Sequence, residues 1–223
     1  MVSRRIKLIA SLLCKDDKVL DVGTDHALLP IYLNKNNMVS FVAASDISKM
    51  VLMKAHENLV KYNMLDKIPL LLSDGLKDID SSMFNTLVIC GMGFYTIRDI
   101  LSNADLNTIN KMIIQSNNHY DDLRKYIITH GYKIDNEHWI CDQNIDYIIF
   151  EVSKGDQKLT NEEILCGIYN PENYSFYLKE LDKCHSILKK VPSKFNSKIT
   201  DIYHLIDIYE SYVSKYKTEE KSN

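Results

Sequence analysis

A chain of 223 residues, of which 45% are hydrophobic, is long enough for one α/β domain with a modest appendage and too short for two large domains. The net charge of −3 does not by itself indicate a nucleic-acid partner, so the distribution of charge matters more than its sum. Five cysteines, odd in number and never spaced as C-x-x-C, favour free thiols in a reducing compartment and argue against a metal site.

The N-terminal segment combines basic and apolar residues, as an export signal does. Lys7 interrupts its apolar run, however, and Ile6, Ile9 and Leu13 recur at helical spacing. The pattern therefore predicts an amphipathic helix. No later run approaches the roughly 20 apolar residues that a membrane span requires, and we expect a soluble, cytoplasmic protein.

A short apolar strand over 19–22 breaks at Gly23 and is followed by a helix predicted over 28–34. Strand, glycine turn and helix in this order bind nucleotides in open α/β sheets. Asp25 and His26 stand where a pyrophosphate-binding turn would have further glycines. Because a carboxylate repels phosphate and attracts cations, the turn favours S-adenosylmethionine, which carries a sulfonium and an ammonium. The alternative is a plain turn in which Asp25 caps the helix.

The next two predicted strands, over 39–46 and 68–73, also end in acidic residues. Asp46 lies a little over 20 residues after Asp21, the separation at which an acidic side chain binds ribose hydroxyls; the alternative is a cap on the helix predicted over 48–62. Asp74 precedes Gly75 and could accept from an adenine amino group, or simply form a turn. These strand ends are expected along one edge of the sheet.

A fourth strand, predicted over 85–90, runs into Gly91 and Gly93, which permit close backbone approach where donor and acceptor atoms would meet. A helix over 95–101 and a strand over 111–115 follow, and the amides of Asn117 and Asn118 could hydrogen-bond an extruded base. A helix over 121–130, stopped by Gly131, precedes two strands over 132–141 and 145–152. These two are predicted to pair antiparallel, with Trp139 packed in the pair.

The C-terminal segment has a different pattern. Apolar residues and tyrosines recur at spacings of three and four over 174–191 and 199–216, which predicts an antiparallel helical hairpin with coiled-coil packing. We assign residues 1–160 to the α/β domain and 161–223 to the hairpin. Two basic groups are candidates for RNA phosphate binding, a solvated lysine face being the alternative: Lys183, Lys189, Lys190, Lys194 and Lys198 near the hairpin tip, and Arg4, Arg5 and Lys7 at the N-terminus.

The chain resembles the bacterial tRNA (adenine-22, N1)-methyltransferases of the TrmK type. The motifs that carry the resemblance are S-R-R at 3–5, D-V-G-T-D-H at 21–26, A-S-D-I at 44–47, D-G-L at 74–76, G-M-G at 91–93 and Q-S-N at 115–117. The resemblance implies a Rossmann-like class I methyltransferase fold with a C-terminal coiled coil. It also implies S-adenosylmethionine as the donor and N1 of a tRNA adenine as the acceptor. Phe94 and Ser116 depart from the family, which usually has glycine and proline there.

The resemblance also implies roles for single residues. Four groups of residues would bind the cofactor. The methionine part would be surrounded by Asp21, Gly23, Thr24, Asp25 and His26, and the ribose and adenine would be held by Asp46 and Ile47. The adenine would also contact Asp74 and Gly75, and the sulfonium would lie near Cys90, Gly91 and Met92. The catalytic candidates are Asp25, Phe94, Gln115 and Asn117. Asp25 would accept a hydrogen bond from the amino group of the target adenine, and Phe94 could stack on that base.

Two alternatives stay open at this stage. One is a methyltransferase that acts on a small molecule, since its donor half would look the same. The other is a non-catalytic RNA-binding protein whose nucleotide-binding turn has degenerated; Phe94 would then be the substitution that impairs the site. We expect tRNA as the partner, no metal and no membrane, and a monomer, with dimerisation through the hairpin as the alternative.

Overall fold

The computed structural model describes residues 2–192 and 195–219, without the side chains of 216–219. Its strands are β1 (Lys18–Val22), β2 (Phe41–Asp46), β3 (Leu70–Leu72), β4 (Thr86–Met92), β5 (Lys111–Ser116), β6 (Tyr132–Asp142) and β7 (Ile145–Lys154). Its α-helices are α1 (Arg4–Ser11), α2 (Leu28–Lys35), α3 (Lys49–Lys61), α4 (Phe94–Ser102), α5 (Tyr120–Thr129), α6 (Asn161–Cys166), α7 (Tyr174–Leu188) and α8 (Asn196–Glu219). Short 3-10 segments cover Ser81–Met83 and Pro171–Asn173.

The strands form one mixed sheet in the order β3-β2-β1-β4-β5-β7-β6. The first five are parallel, and β7 and β6 close the sheet antiparallel. The register places Asp21 of β1 opposite Ala44 of β2 and Val88 of β4. The carboxyl ends of β1 to β5 consequently meet at one edge, which we call the carboxyl edge. This arrangement confirms the predicted Rossmann-like fold and the antiparallel closing pair.

Alternation along the strands divides the apolar side chains between two cores. Leu20, Ile89 and Phe150 face α4 and α5, together with residues of α7 and α8. Val19 and Val88 face α1, α2 and α3 on the other side, which we call the α1 face. Asp21 and Gln115 follow the same alternation onto the α1 face, as their strand neighbours Val19 and Ile113 show. The helix predicted at the N-terminus therefore covers the face on which the acidic strand end lies.

Three local features differ from the sequence expectations. β4 continues past Cys90 to Met92, with a bulge between those two residues. Helix α6 was not predicted, although Thr160 and Glu163 form a capping box at its start, which is a readable helix signal. The helix predicted over 48–62 ends at Lys61; Tyr62, its C-cap residue, is exposed, and the amines of Lys35 and Lys61 lie 5.9 Å from its ring centre.

The C-terminal helices join the core of the sheet. Leu181 and Cys184 of α7 pack with Ile202 and Ile206 of α8. Nearer the sheet, the rings of Tyr177 and Tyr212 lie 4.5 Å apart within the same core as β4 and β5. Coiled-coil packing and a domain boundary at 160 stay predictions. The side chain of Tyr216 lies outside the described residues.

A buried ion pair joins α5 to β6 where the C-terminal helices pack against the sheet. Arg124 of α5 and Glu137 of β6 are 0% and 2% exposed, with Nη2 and Oε2 2.6 Å apart. The same guanidinium donates to the Tyr177 hydroxyl and to the carbonyls of Ile164 and Leu165 in α6. Within the described ranges, no helix is long and apolar enough to cross a membrane.

Candidate active site

The turn after β1 is shaped by Gly23. Its φ is +72°, a left-handed conformation that favours glycine. The backbone N–H groups of Gly23 and Thr24 donate to the carbonyl of Ser45 at 2.8 and 2.9 Å, so the turn is fixed to β2. A Cβ at position 23 would lie 2.0 Å from Cε of Met92. The predicted cofactor residues Gly23, Thr24 and Met92 are thus brought together at the carboxyl edge.

The next residues form a strained loop. His26 and Ala27 are both left-handed, with φ of +58° and +57°, a conformation that side-chain-bearing residues rarely adopt. Asn58 of α3 donates from Nδ2 to the His26 carbonyl at 2.9 Å and anchors the loop. Helix α2 follows without a side-chain cap, so the interpretation of Asp25 as a helix cap is wrong. The Asp25 carboxylate instead lies 3.0 Å from Nε2 of His26 and is 79% exposed.

Asp21 is the buried acid of the site. Thr24 Oγ1 donates to its Oδ2 at 2.6 Å. Burial raises the pKa of Asp21 from 3.8 to about 6, against the lowering effect of the Thr24 hydrogen bond and with a further upward contribution from the charges of Asp46 and Asp25. The three carboxylates therefore lie within electrostatic reach of one another.

Asp46 and Ser73 end neighbouring strands beside this group. One carboxylate oxygen of Asp46, Oδ1, accepts from the backbone N–H of Ser48 at 2.7 Å, and Ser48 itself caps α3. The N–H of Ser73 donates to the Asp46 carbonyl at 3.1 Å. The Ser73 hydroxyl is buried and has no hydrogen-bond partner among the described residues, as expected where a polar ligand group completes a site. Sequence reasoning missed Ser73, although it directly precedes Asp74.

The other predicted residues of this region are more exposed. Ile47 is an exposed apolar side chain directly after Asp46. Asp74 forms an ion pair with Lys77 at the surface, so one of its oxygens has a protein partner already. Gly75, with φ of +63°, packs closely against Ile100 of α4. These positions border the same edge, and Asp74 also lines a cleft with Thr96 and Ile100 of α4.

The bulge at the end of β4 is clamped by two carboxamides. Gly91 has φ of +84°, and its N–H donates to Oε1 of Gln115 at 3.1 Å. Its carbonyl accepts from Nδ2 of Asn117 at 2.8 Å. Gln115 Nε2 in turn donates to Oδ1 of Asn117 at 3.0 Å. The Cys90 thiol beside the bulge has its pKa raised by burial, which keeps it neutral. The predicted catalytic amides thus hold the backbone of the site.

Phe94 does not take the place predicted for it. The residue begins α4 and is 6% exposed, with its ring in the core 6.4 Å from that of Tyr126. The prediction that Phe94 stacks on the target base is therefore wrong, because its ring fills the space under the helix. Tyr95 follows it and is 53% exposed. Its ring lies 5.3 Å from that of His119, an aromatic surface that sequence reasoning missed.

The predicted basic groups differ in their surroundings. Arg4 and Lys7 are exposed, whereas Arg5 turns inward to Gln115, contrary to its expected place in a basic patch. On the hairpin, Lys183 lies 2.5 Å from Glu180, while Lys189, Lys190 and Lys198 are exposed. Lys194 lies outside the described residues.

Comparison with known proteins connects this geometry with methyl transfer. A family model described as a methyltransferase domain matches residues 2–150. A Mycoplasma genitalium protein named "Putative tRNA methyltransferase" is 31% identical to the chain over 94% of its length and 100% of the relative. The chain belongs to the TrmK-type family of tRNA methyltransferases.

Two further family members make the likeness more specific. The structure of M. capricolum TrmK in complex with S-adenosyl-homocysteine has a TM-score of 0.85 and 31% sequence identity, covering 96% of this chain and 98% of that one. The tRNA (adenine(22)-N(1))-methyltransferase of Bacillus subtilis is 25% identical over 70% of this chain and 66% of its own. Within the described part of the chain, no group of three or more His, Cys, Asp or Glu side chains is arranged to hold a metal.

Proposed function

We propose that this chain transfers a methyl group from S-adenosylmethionine to N1 of an adenine in tRNA, at position 22 by its likeness to the family. The observation that carries the proposal is the convergence of Asp21, Asp25 and Asp46 at the carboxyl edge, in a chain whose relatives are named tRNA methyltransferases. Carboxylates gathered around a glycine turn suit a cationic donor and repel a phosphate.

Three features of the site fit this donor. The left-handed turn at Gly23 favours glycine, the carboxylates supply negative charge, and the buried Ser73 hydroxyl has an unused hydrogen-bonding capacity. When bound, the donor supplies an electrophilic methyl group on a positively charged sulfur. Asp46 would bind the ribose, and the adenine would be surrounded by Ile47, Ser73, Asp74 and Gly75. The methionine part and the sulfonium would be held by the other predicted cofactor residues: Asp21, Gly23, Thr24, Asp25, His26, Cys90, Gly91 and Met92.

The acceptor side relies on positioning. Adenine N1 has its own lone pair, so no protein nucleophile is needed, and alignment of the reacting atoms accounts for most of the catalysis. Positive charge develops on the base, and the exposed carboxylate of Asp25 would stabilise it by accepting from the amino group. Gln115 and Asn117 would act by holding the Gly91 backbone in place. Since N1 lies on the pairing edge, the adenine must be unpaired or extruded.

The surface that binds tRNA would include the exposed lysines of the hairpin, with Arg4 and Lys7 as a second group. Coiled-coil packing of α7 and α8 would stiffen the hairpin as an arm that reaches along the phosphate backbone. Tyr95 and His119, at the starts of α4 and α5, offer aromatic rings on which an unpaired base can stack. We infer that the chain acts as a monomer in the cytoplasm, where its substrate is found.

One experiment tests acceptor, base and atom together. The chain is incubated with methyl-labelled S-adenosylmethionine and a tRNA transcript, and the nucleosides are then analysed. We expect label in 1-methyladenosine, and none in a transcript with guanine at position 22. Label in another nucleoside would overturn the assignment of atom and position, and binding of tRNA without uptake of the donor would favour a non-catalytic RNA-binding protein.

A further inference from the structure

The side chain of Arg5 leaves the first turn of α1 and reaches the carboxyl edge. Its Nη1 donates to Oε1 of Gln115 at 3.1 Å, and its guanidinium carbon lies 4.6 Å from the ring centre of Tyr147 on β7. The backbone N–H of Arg5 donates to Oδ2 of Asp142 at 3.3 Å, which fixes the start of α1 to the end of β6. Contacts with three separate elements therefore hold Arg5 in this position.

This position brings a positive charge next to the clamped bulge. Gln115 Oε1 accepts from both Arg5 and the N–H of Gly91, so the guanidinium is bonded to the same oxygen as the backbone at the floor of the site. The Cys90 thiol reports the same proximity, because the charges of Asp21 and Arg5 shift its pKa in opposite directions. Arg5 and Asp21 thus act on one point of the α1 face.

The charge balance of the site indicates what Arg5 binds. The methionine part of S-adenosylmethionine has a carboxylate in addition to its ammonium and sulfonium, and the carboxylate needs a cation or N–H donors. At the carboxyl edge, His26 already faces Asp25, and Lys77 is paired with Asp74. Lys111 lies at the opposite end of the strands with Asp17. Among the described residues, Gln115 is the hydrogen-bond partner of the Arg5 guanidinium, which leaves Nε and Nη2 for a ligand.

We propose that Arg5 binds the carboxylate of the methyl donor's methionine part, and does not bind tRNA phosphate as the sequence suggested. The inference rests on the donor of the proposed function and does not depend on the acceptor. The guanidinium would form a charge-assisted hydrogen bond with the carboxylate, while the carboxylates of the edge remain for the two cationic groups.

The test compares two ligands that differ only in the carboxylate. Binding of S-adenosylhomocysteine and of its decarboxylated analogue, S-adenosyl-3-thiopropylamine, is measured by calorimetry for wild type, Arg5→Met and Arg5→Lys. We expect Arg5→Met to weaken S-adenosylhomocysteine about 10- to 100-fold and to leave the analogue unchanged. Arg5→Lys should recover part of the loss. Arg98→Met is the matched control, since Arg98 also lies over a tyrosine ring, at 5.3 Å, but on the exposed side of α4.

The outcomes separate the possible roles of Arg5. An equal loss for both ligands in Arg5→Met would overturn the proposal, because Arg5 would then act through the Gly91 backbone. Unchanged binding of both ligands, with a smaller salt dependence of tRNA binding, would also overturn it in favour of a phosphate contact. Failure of the wild-type chain to bind S-adenosylhomocysteine would instead refute the donor of the proposed function, and this inference with it.

Discussion

The buried carboxylate of Asp21 is expected to lower the stability of the fold and to provide charge for the donor. Its pKa is raised from 3.8 to about 6 because the carboxylate is buried, so ionisation is less favourable in the folded chain than in the unfolded one. The folded chain binds the proton more tightly, and its stability falls as pH rises from about 4 to about 6. The difference corresponds to roughly 3 kcal/mol once the group is ionised.

We therefore predict that Asp21→Asn is more stable than wild type at pH 7.5, by about 1 to 3 kcal/mol. At pH 5 the difference in the free energy of unfolding should be smaller. The same variant should bind S-adenosylhomocysteine at least about tenfold more weakly, because the charge near the ammonium is lost. Urea unfolding at the two pH values and calorimetry provide the measurements. A stability difference that does not change with pH would contradict the assigned burial of the charge.

Asp25 presents the opposite case, an exposed acid whose described ion-pair partner is His26. We predict that Asp25→Asn loses about 100-fold in methylation of tRNA, the usual effect of removing one group that stabilises developing charge. Its thermal unfolding should match that of wild type, since exposed substitutions change stability little. Asp16→Asn, an exposed site at the other end of β1, is the control. Turnover close to wild type would remove Asp25 from the mechanism.

Residue types were more predictable than residue contacts. The sequence pattern correctly placed Gly23, Asp46 and the 21–26 motif at one edge, because a strand end and a turn are local features. The inward course of Arg5 was not predictable, since it depends on α1 packing beside β7, far away along the chain. Phe94 was misjudged for a similar reason: nothing local distinguishes a ring in the core from a ring in a pocket.

The elements follow from periodicity, and their exceptions follow from tertiary contacts. The predicted helices and strands up to residue 152 are confirmed within a few residues, because the helices have a period near 3.6 and the buried parallel strands are short apolar runs that end at turn residues. The bulge at Gly91 depends on Gln115 and Asn117 of the next strand, so no local pattern indicates it. The short α6 was missed in a segment where only its capping box was informative.

At the junction of α5, β6 and α7, the Arg124–Glu137 pair offers a prediction for the elements it joins. Arg124→Met should destabilise the chain by about 3 to 5 kcal/mol, because it leaves the Glu137 carboxylate buried without its partner. The double variant Arg124→Met with Glu137→Met should recover most of that loss, since no buried charge remains. Urea unfolding measures both. A double variant no more stable than the single one would show that the unpaired charge is not the cause.

For the whole molecule, the sequence separated an α/β part from a helical part, and the structure adds the physical link between them. Tyr177 and Tyr209 were expected on the two helical seams, and both pack with Tyr212 in the same core as the sheet. Arg124 of α5 donates a hydrogen bond to the Tyr177 hydroxyl at 3.0 Å. Packed side chains of α7 and α8 therefore join these helices to the sheet.

The proposal that the C-terminal helices form a tRNA-binding arm can be tested at their exposed lysines. We predict that replacing Lys189, Lys190 and Lys198 with Gln weakens tRNA binding and lowers its dependence on salt, by about 0.7 to 0.9 in the log–log slope for each phosphate that the variant no longer neutralises. Binding of S-adenosylhomocysteine should not change, because the proposed donor site lies at the carboxyl edge of the sheet. The matched control replaces the exposed Lys54 and Lys61 of α3 and the exposed Lys67 after it, which removes the same amount of charge from another surface. Equal slopes for the two triple variants would assign the hairpin lysines to a solvated face, since net charge alone would then explain the weaker binding.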